Sequence, residues 1–402
     1  MQQLKLLNFH KMLSEFATNL VGAFVALIIL KATGSLLLTF GSLAAKYVLI
    51  AILTVILKKQ LFNKPQLFLM FRIFSITGYN LFILLLDSNL VIGVIGVSVF
   101  QAFDAVFKVL PQEAIFNYSS LSKGTGSLGI TRAISKIGAI LAVLVGGFLL
   151  DINQTVVIII SLVLYFVSVI PLVMFYIKSK QDRTFNKDAV SNAKLKLEKD
   201  EKANDKGTKV IKRLLISYFI MYLVTCSIDC IPNYFKFHVF LNNNGMYSLI
   251  GIYSALYNCA STLSNYFFAK LNDRKETMPL VIVSAFIVGG IVIGLPFVYN
   301  PYLLGVMYVS IGFFAQFIFI FMLQRMLIKS RIMGCSNDAL YYRDQGSTTC
   351  YIFSYALGMM GVLLPAFIII GVITACGGLI ERANEERTRK MMVDFLQQNE
   401  IE

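Results

Sequence analysis

Residues 35–57 read SLLLTFGSLAAKYVLIAILTVIL, an apolar run long enough to cross the hydrocarbon core of a membrane as a helix. Lys46 lies near the middle of this run. A lone ammonium at that depth costs roughly 2.5–3.5 kcal/mol to insert, so it is kept where it faces a polar cavity or a partner inside the protein. The run therefore predicts a membrane span within a bundle that has a wet interior, and transport is the first functional hypothesis.

The composition of the chain is that of a membrane protein. Of the 402 residues, 57% are hydrophobic and 14% are charged, whereas a soluble domain of this length needs far more polar surface. The net charge of +14 is collected in short segments between apolar runs, which indicates membrane topology and not a nucleic-acid-binding surface. The sequence shows no nucleophile–base pair, metal-ligand set or phosphate-binding loop, so neither an enzyme nor a cofactor is expected.

Apolar runs of spanning length recur along the chain. They lie near residues 12–30, 35–57, 66–86, 89–110, 128–150, 154–177, 211–234, 247–268, 278–297 and 302–328. Residues 347–380 form a further apolar stretch that is too long for one ordinary span and short for two.

The distribution of basic residues predicts how the spans are oriented. Lys and Arg concentrate in alternate connections, of which the last before residue 347 holds Arg325, Lys329 and Arg343. The positive-inside rule places these connections and the N-terminus in the cytoplasm. The tail after residue 380 is basic as well, and a cytoplasmic tail requires an even number of spans. Twelve spans are therefore predicted, the last two meeting near residues 363–365, with eleven spans or a re-entrant segment as the alternative.

A polar segment divides the chain into two halves. Residues 178–210 are rich in Lys, Asp and Glu and cannot bury a core, so they predict a flexible or loosely helical cytoplasmic linker. The predicted organisation is an N-terminal six-helix bundle over 1–177, this linker, a C-terminal bundle over 211–380 and a cytoplasmic tail over 381–402.

The two halves show weak internal similarity. Connections 58–65 and 269–279 are both short and basic, and both end in a proline that begins the next span. Spans four and ten each carry a glutamine beside a phenylalanine at mid-membrane, Gln101 and Gln316. Two six-span repeats around a basic central loop are typical of two-bundle secondary transporters.

With these features the chain resembles the major facilitator superfamily over essentially its full length. Residues 269–278 resemble that family's signature Gly-x-x-x-Asp-Arg-x-Gly-Arg-Arg/Lys, in which Asp273 and Arg274 match but the glycine positions do not. The resemblance implies an all-α membrane protein with twelve transmembrane helices in two six-helix bundles. It also implies a gating role for Asp273 and Arg274.

In that family the first helix of each three-helix unit lines the central cavity, which implies spans one, four, seven and ten here. The midpoints of these spans hold Asn19, Gln101, either Tyr222 or Thr225, and Gln316. Mid-span amides and hydroxyls can hydrogen-bond a polar solute, and they can also join helices to one another. Both interpretations stay open.

Charged residues within the spans are candidates for binding and coupling. Asp229, in the outer third of span seven, is the candidate for a substrate-binding or coupling carboxylate. Lys46 could grip an anionic solute, replace a coupling cation or form a structural ion pair with Glu15, Asp104 or Asp229. Glu15 lies about one turn inside the membrane and is either a proton-titrating carboxylate or an interfacial residue.

Two further charges are assigned to gating. Asp104 lies four residues before Lys108, so it either forms an ion pair with Lys108 or belongs to a gate with Arg132 and Lys136. Arg72 lies two turns into span three, from where its side chain can extend to the cytoplasmic surface.

The leading functional hypothesis is a secondary active transporter of the plasma membrane with both termini in the cytoplasm. It would exchange protons for an amphipathic small molecule and export it. The alternative is cation-coupled uptake of a sugar or another metabolite, and a transporter-like lipid handler or sensor is a third. The expected partners are a small-molecule substrate, a coupling proton or cation and the lipid bilayer, with no nucleic acid and a monomeric state.

Overall fold

The computed structural model describes residues 2–120, 126–181, 205–271, 277–361 and 363–399. Throughout these ranges the regular structure is helical, without a β-strand, so the all-α prediction is confirmed. The first half contains α1 (Gln2–Gly22), α2 (Val25–Thr33), α3 (Leu36–Asn63), α4 (Pro65–Leu84), α5 (Leu90–Ser120), α6 (Gly126–Ile152) and α7 (Gln154–Gln181). The second half contains α8 (Asp205–Thr225), α9 (Ile231–Asn242), α10 (Tyr247–Leu271), α11 (Met278–Gly294), α12 (Pro301–Ile332), α13 (Ser336–Gly358) and α14 (Leu363–Asn399).

Two membrane spans are each made from two helices. Helices α1 and α2 together form one apolar segment from Asn8 to Thr33. Helices α8 and α9 are joined by a 3₁₀ turn, Cys226–Cys230, within the segment from Lys209 to Asn242. Counting each pair once gives twelve spans, of which nine in the described part of the chain are long and apolar enough by hydropathy alone. The prediction of twelve transmembrane helices is therefore confirmed.

The last two spans differ in their bounds from the prediction. The turn between α13 and α14 contains Gly361, whose φ of 74° is a left-handed conformation that favours glycine. Helix α13 begins at Ser336, so Arg343 lies within a span and is buried, and its assignment to a connection was wrong. Hydropathy misplaces the start of α13 because its polar residues face other helices and not lipid. Helix α14 continues to Asn399, through most of the segment predicted as a tail.

The helices within each half pack closely against one another. In the first half, α1 packs on α6 and α7, and α5 packs on α3 and α4. In the second half, α10 packs on α12, α11 on α14, and α8 on α13 and α14. The two halves meet along two seams, α3 against α13 and α6 against α10.

The α6–α10 seam depends on two glycines. A Cβ added to Gly147 would lie 2.7 Å from the backbone oxygen of Tyr247, and one added to Gly251 would lie 2.6 Å from that of Val143. Both distances are shorter than the 3.0 Å below which Cβ atoms essentially never approach other heavy atoms, so only glycine permits the helices to come this close. Small residues commonly allow membrane helices to pack in this way.

The two faces of the helix bundle are named here by their connections. The basic face is formed by the start of α1 and by the helix ends that flank the α3–α4, α5–α6, α7–α8, α10–α11 and α12–α13 connections, and most basic residues of the sequence fall in or beside these connections. The opposite face carries the α2–α3, α4–α5, α6–α7, α9–α10, α11–α12 and α13–α14 connections. Which face meets the cytoplasm remains a prediction from the basic residues.

Candidate functional site

A cavity of ≈ 370 Å³ lies between the two halves. Its walls come from the basic-face half of α5, α12 and α13 and from the middle of α3 and of the α8–α9 span. The lining residues are Tyr47, Ile50, Ala105, Val106, Val109, Tyr222, Cys226, Asp229, Phe319, Leu323, Arg343, Asp344, Ser347, Thr348 and Tyr351. This lining combines charged, hydroxyl and aromatic groups with apolar ones, which is the composition of a small-molecule site.

Asp229 reaches the cavity because its helix changes form at that point. The 3₁₀ turn Cys226–Cys230 interrupts the span, and Pro232 at the start of α9 has no N–H to continue the hydrogen bonds of the preceding turn. The Asp229 side chain is exposed within the cavity. Tyr351 of α13 donates a hydrogen bond to its Oδ2 atom over 2.7 Å.

Aromatic rings in contact with one another close the cavity on the side of the opposite face. The Tyr47 ring centroid lies 4.6 Å from that of Tyr351 and 5.5 Å from that of Tyr355, so these contacts join α3 to α13. Nearer the opposite face, the ring of Phe40 packs at 4.9 Å from those of Tyr234 and Phe237. These rings bury a large apolar area between the halves, which is a strong interaction.

Polar contacts add to this closure at the opposite face. Asp151 at the end of α6 accepts hydrogen bonds from the backbone N–H groups of Tyr247 and Ser248, over 2.9 and 2.8 Å. Lys236 Nζ donates to the backbone oxygen of Ala23 over 2.9 Å. Each contact joins one half to the other, so opening this face requires all of them to break.

Near the basic face, the contacts between described residues of the two halves include an ion pair that is partly exposed to solvent. Lys58 Nζ lies 2.8 Å from Asp338 Oδ1, and the two side chains are 36% and 51% exposed. An ion pair in that environment contributes at most about 1 kcal/mol. Lys136 donates to Gln316 Oε1 over 3.0 Å and also to Ser261. Described residues of the two halves are therefore in contact at both faces.

Among the described residues, two ion pairs lie within the first half, Arg72 with Asp104 and Lys108 with Glu15. Arg72 is fully buried, and its Nε atom lies 2.9 Å from Asp104 Oδ1, so the prediction that it extends to the surface was wrong. Lys108 pairs with Glu15 at 2.7 Å and does not pair with Asp104. The pairings follow from packing. On α5, Asp104 meets Arg72 of the adjacent α4, and Lys108 meets Glu15 of α1.

Lys46 is half-buried and belongs to neither pair. Its Nζ atom lies 5.2 Å from the ring centroid of the adjacent Tyr47. No carboxylate of the described residues lies within 4.0 Å of it, and Asp104 is the carboxylate whose charge acts on it electrostatically. A structural ion pair is therefore not the explanation of this charge, and Lys46 is not a lining residue of the cavity.

The structure brings some of the predicted residues together and separates others. Tyr222 and Asp229 line the cavity. Asn19 donates to the backbone and side chain of Glu15, and Gln316 accepts from Lys136, so both join neighbouring groups. Four further predicted residues lie elsewhere or outside the described parts. Gln101 is half-buried in α5 away from the lining, the Arg132 side chain is not among those described, and Asp273 and Arg274 fall outside the described residues.

Sequence reasoning missed the contribution of α13 to the cavity. Arg343, Ser347 and Tyr351 follow one another at intervals of four, and Asp344 and Thr348 do the same on the adjacent position. Such intervals place side chains on one face of a helix. This polar stripe is the sequence signal for a helix that turns one face into the protein. The assignment of Arg343 to a connection hides the stripe, because it places the first polar residues outside the helix.

Comparisons with known proteins agree with this architecture. A family model described as the Major Facilitator Superfamily matches residues 9–332. The solved structure of the nucleoside transporter NupG is similar, with a TM-score of 0.65 and 12% identity over 96% of this chain and 99% of that chain. A bacterial homologue of the iron transporter ferroportin is similar in its outward-facing state, with a TM-score of 0.64 and 12% identity over 97% of this chain and all (100%) of that chain.

The inward-facing state of that homologue is similar as well, with a TM-score of 0.61 and 14% identity over 97% of this chain and 98% of that chain. At such identities these likenesses describe the fold and not the substrate. No curated protein sequence matches the chain significantly. The family model covers most of the chain, and the similar structures are those of transporters. The chain therefore belongs to the Major Facilitator Superfamily, and it is a multi-pass membrane protein that transports small molecules.

Proposed function

We propose that the chain is a proton-coupled exporter of small amphipathic molecules that carry a cationic group. The observation that carries this proposal is the position of Asp229, a carboxylate exposed in the cavity at a break in its span. The sequence has no ATPase motif, so an ion gradient is the available source of energy.

The lining of the cavity suits a cation with an apolar body. Asp229 offers a negative charge, and the rings of Tyr47, Tyr222 and Tyr351 offer faces that attract cations. The apolar part of such a solute would lie against a second group of lining residues, which includes Ile50, Val106, Phe319 and Leu323.

Coupling follows from competition at one carboxylate. Asp229 binds either the cationic group of the solute or a proton, so a proton arriving from the acidic side displaces the solute. Tyr351 holds the carboxylate in one orientation for both ligands. No second binding site is required for exchange by this route.

Alternating access would open the two faces in turn. The cavity lies nearer the basic face, which the positive-inside rule assigns to the cytoplasm, so the solute would be loaded from there. Export requires the aromatic and polar contacts of the opposite face to break while the halves close at the basic face. Such rocking of two bundles around a fixed site is the general mode of two-bundle transporters.

Cation-coupled uptake of a hydroxyl-rich metabolite is the rival function. Ser347 and Thr348 place hydroxyl groups in the lining, and the similar nucleoside transporter shares the fold. Iron transport has less support, because no group of three His, Cys, Asp or Glu side chains among the described residues forms a metal-binding set.

Equilibrium binding to the purified full-length protein separates these functions. Binding of a fluorescent lipophilic cation is measured over a range of pH for the wild type, Asp229→Asn and the control Asp87→Asn, whose carboxylate is exposed at the α4–α5 connection. We expect the wild type and the control to bind more weakly as pH falls. In Asp229→Asn the Kd rises at least tenfold, about 1.4 kcal/mol, and loses its pH dependence. Unchanged binding by Asp229→Asn would refute the proposal, and stabilisation by nucleosides or sugars alone would favour the rival.

A further inference from the structure

The extension of α14 beyond residue 380 carries a buried charged cluster. Glu381 is 2% exposed, Lys329 of α12 is 5% exposed, and Thr388 is buried beside them. Glu385 is the fourth member, and Tyr218 of α8 is the fifth. These five residues, named here the Glu381 cluster, lie near the basic face between α8, α12 and α14, apart from the cavity lining.

The one buried cation of the cluster is already occupied. Lys329 Nζ donates to Glu385 Oε2 over 2.7 Å and to Thr388 Oγ1 over 2.6 Å. Arg325 lies 3.9 Å from Glu385 and is 41% exposed. Glu381 forms no ion pair with either of these cations, and its Oε2 atom has no hydrogen-bond partner. The cluster thus holds one more carboxylate than it pairs.

A second polar group in the cluster also lacks a partner. Tyr218 is 2% exposed, and its Oη atom has no hydrogen-bond partner. Both Glu381 and Glu385 act on it electrostatically. Glu385 and Lys329 are the charged groups that act on Glu381, and α11, which also packs on α14, has no titratable side chain between Met278 and Gly294.

A buried carboxylate without a partner is costly as an anion and far less costly as an acid, because the neutral form gives up much less hydration. We propose that Glu381 is a proton-binding site, separate from Asp229 and located within the C-terminal helices. Protons from the basic face reach it past Glu385, which is partly exposed. The ligand of this site is a proton, and the site exists whether or not Asp229 exchanges solute for protons.

The position of Tyr218 links this site to the cavity. Tyr218 lies one helical turn before Tyr222, which lines the cavity, and residues four apart share a helix face. Asn384, on the same helix as Glu381, contacts Ser217 and Met221 of α8. A change in the charge of Glu381 therefore acts on the helix that carries Tyr222 and leads into the Asp229 turn.

Infrared spectroscopy of the full-length protein in lipid nanodiscs tests the proposal. The carbonyl stretch of a protonated carboxylic acid is followed by difference spectra between neutral and alkaline pH. We expect a band that is lost in Glu381→Gln and retained in Glu386→Gln, a matched control whose carboxylate is 66% exposed. The same band in Glu381→Gln as in the wild type would overturn the proposal.

Two further variants keep the test decisive. If Glu381→Gln fails to fold, Glu381→Asp is used, because it retains an acid at this position. The band must then move to the frequency of an aspartic acid, and an unmoved band would overturn the proposal. Asp229→Asn must leave the Glu381 band in place. Loss of proton-coupled transport with a retained Glu381 band would contradict the proposed function alone.

Discussion

Tyr351 donates a 2.7 Å hydrogen bond to Asp229, and this bond joins α13 to the 3₁₀ turn between α8 and α9 inside the cavity. The ring of Tyr351 also packs against Tyr47 of the first half. One side chain therefore orients the cavity carboxylate and contacts both halves of the transporter. Under the proposed function, solute binding at Asp229 would be coupled to the arrangement of the two halves through Tyr351.

Tyr351→Phe removes the hydrogen bond and keeps the ring. We expect the Kd for a cationic solute to rise about fivefold, since one hydrogen bond to a charged group contributes about 1 kcal/mol or more. Thermal stability should change little, because the packing against Tyr47 is retained. Titration with the fluorescent cation measures the change, and Tyr302→Phe, at an exposed ring, is the control. Equal affinity in the Tyr351 and Tyr302 variants would contradict the role given to this bond.

Gly251→Ala tests the α6–α10 seam. The added methyl group would lie 2.6 Å from the backbone oxygen of Val143, so the helices must separate. We expect a loss of about 1–3 kcal/mol in the free energy of unfolding, as for overpacked cores, and slower transport. Gly290→Ala is the matched control, because nothing lies within 4 Å of its added Cβ. A Gly251→Ala protein as stable and as active as Gly290→Ala would show that the seam is not close-packed.

The buried Arg72–Asp104 pair should be far more sensitive than the exposed Lys58–Asp338 pair. Removing one partner from a buried pair leaves the other charge uncompensated, so Asp104→Asn is expected to cost about 3–5 kcal/mol. Asp338→Asn is expected to cost less than about 1 kcal/mol. Thermal unfolding in detergent compares the two variants. Similar losses of stability would contradict the difference in burial.

Lys46→Leu should not destabilise the protein. The ammonium group has no carboxylate of the described residues within 4.0 Å, so the substitution removes an insertion cost without breaking an ion pair. We expect an equal or higher Tm together with altered transport. A clear fall in Tm would reveal a stabilising partner, and unchanged Tm and transport together would leave Lys46 without the role that its depth suggests.

The fold could be predicted largely from the sequence, because apolar runs of about twenty residues have few structural solutions other than membrane helices. The spans around residues 35–57 and 278–297 are of this kind. Hydropathy does not detect α13, because Arg343 and Asp344 lower the mean value of a helix that buries its polar side chains between other helices. Hydropathy also places the end of the last span before residue 381, since charged residues such as Glu381 are expected to be solvated.

The candidate site was predictable only in part, for a physical reason. The positions of Asp229 and Tyr222 within their span could be predicted, because depth in the membrane can be counted along the sequence, and both residues line the cavity. The partner of a charge cannot be counted in this way, because it depends on how helices rotate and pack. Extension of Arg72 to the surface and a pair between Asp104 and Lys108 were both compatible with the sequence, whereas Arg72 binds Asp104 and Lys108 binds Glu15.

Transport by inside-out membrane vesicles tests the central claim most directly. An imposed pH gradient, acidic inside, is combined with an external fluorescent cation, and its accumulation is compared for wild type, Asp229→Asn and the control Asp87→Asn. The account predicts accumulation by the wild type and the control that stops when the gradient is collapsed, and none by Asp229→Asn. Accumulation by Asp229→Asn at the rate of the wild type, or accumulation that persists without a gradient, would contradict it.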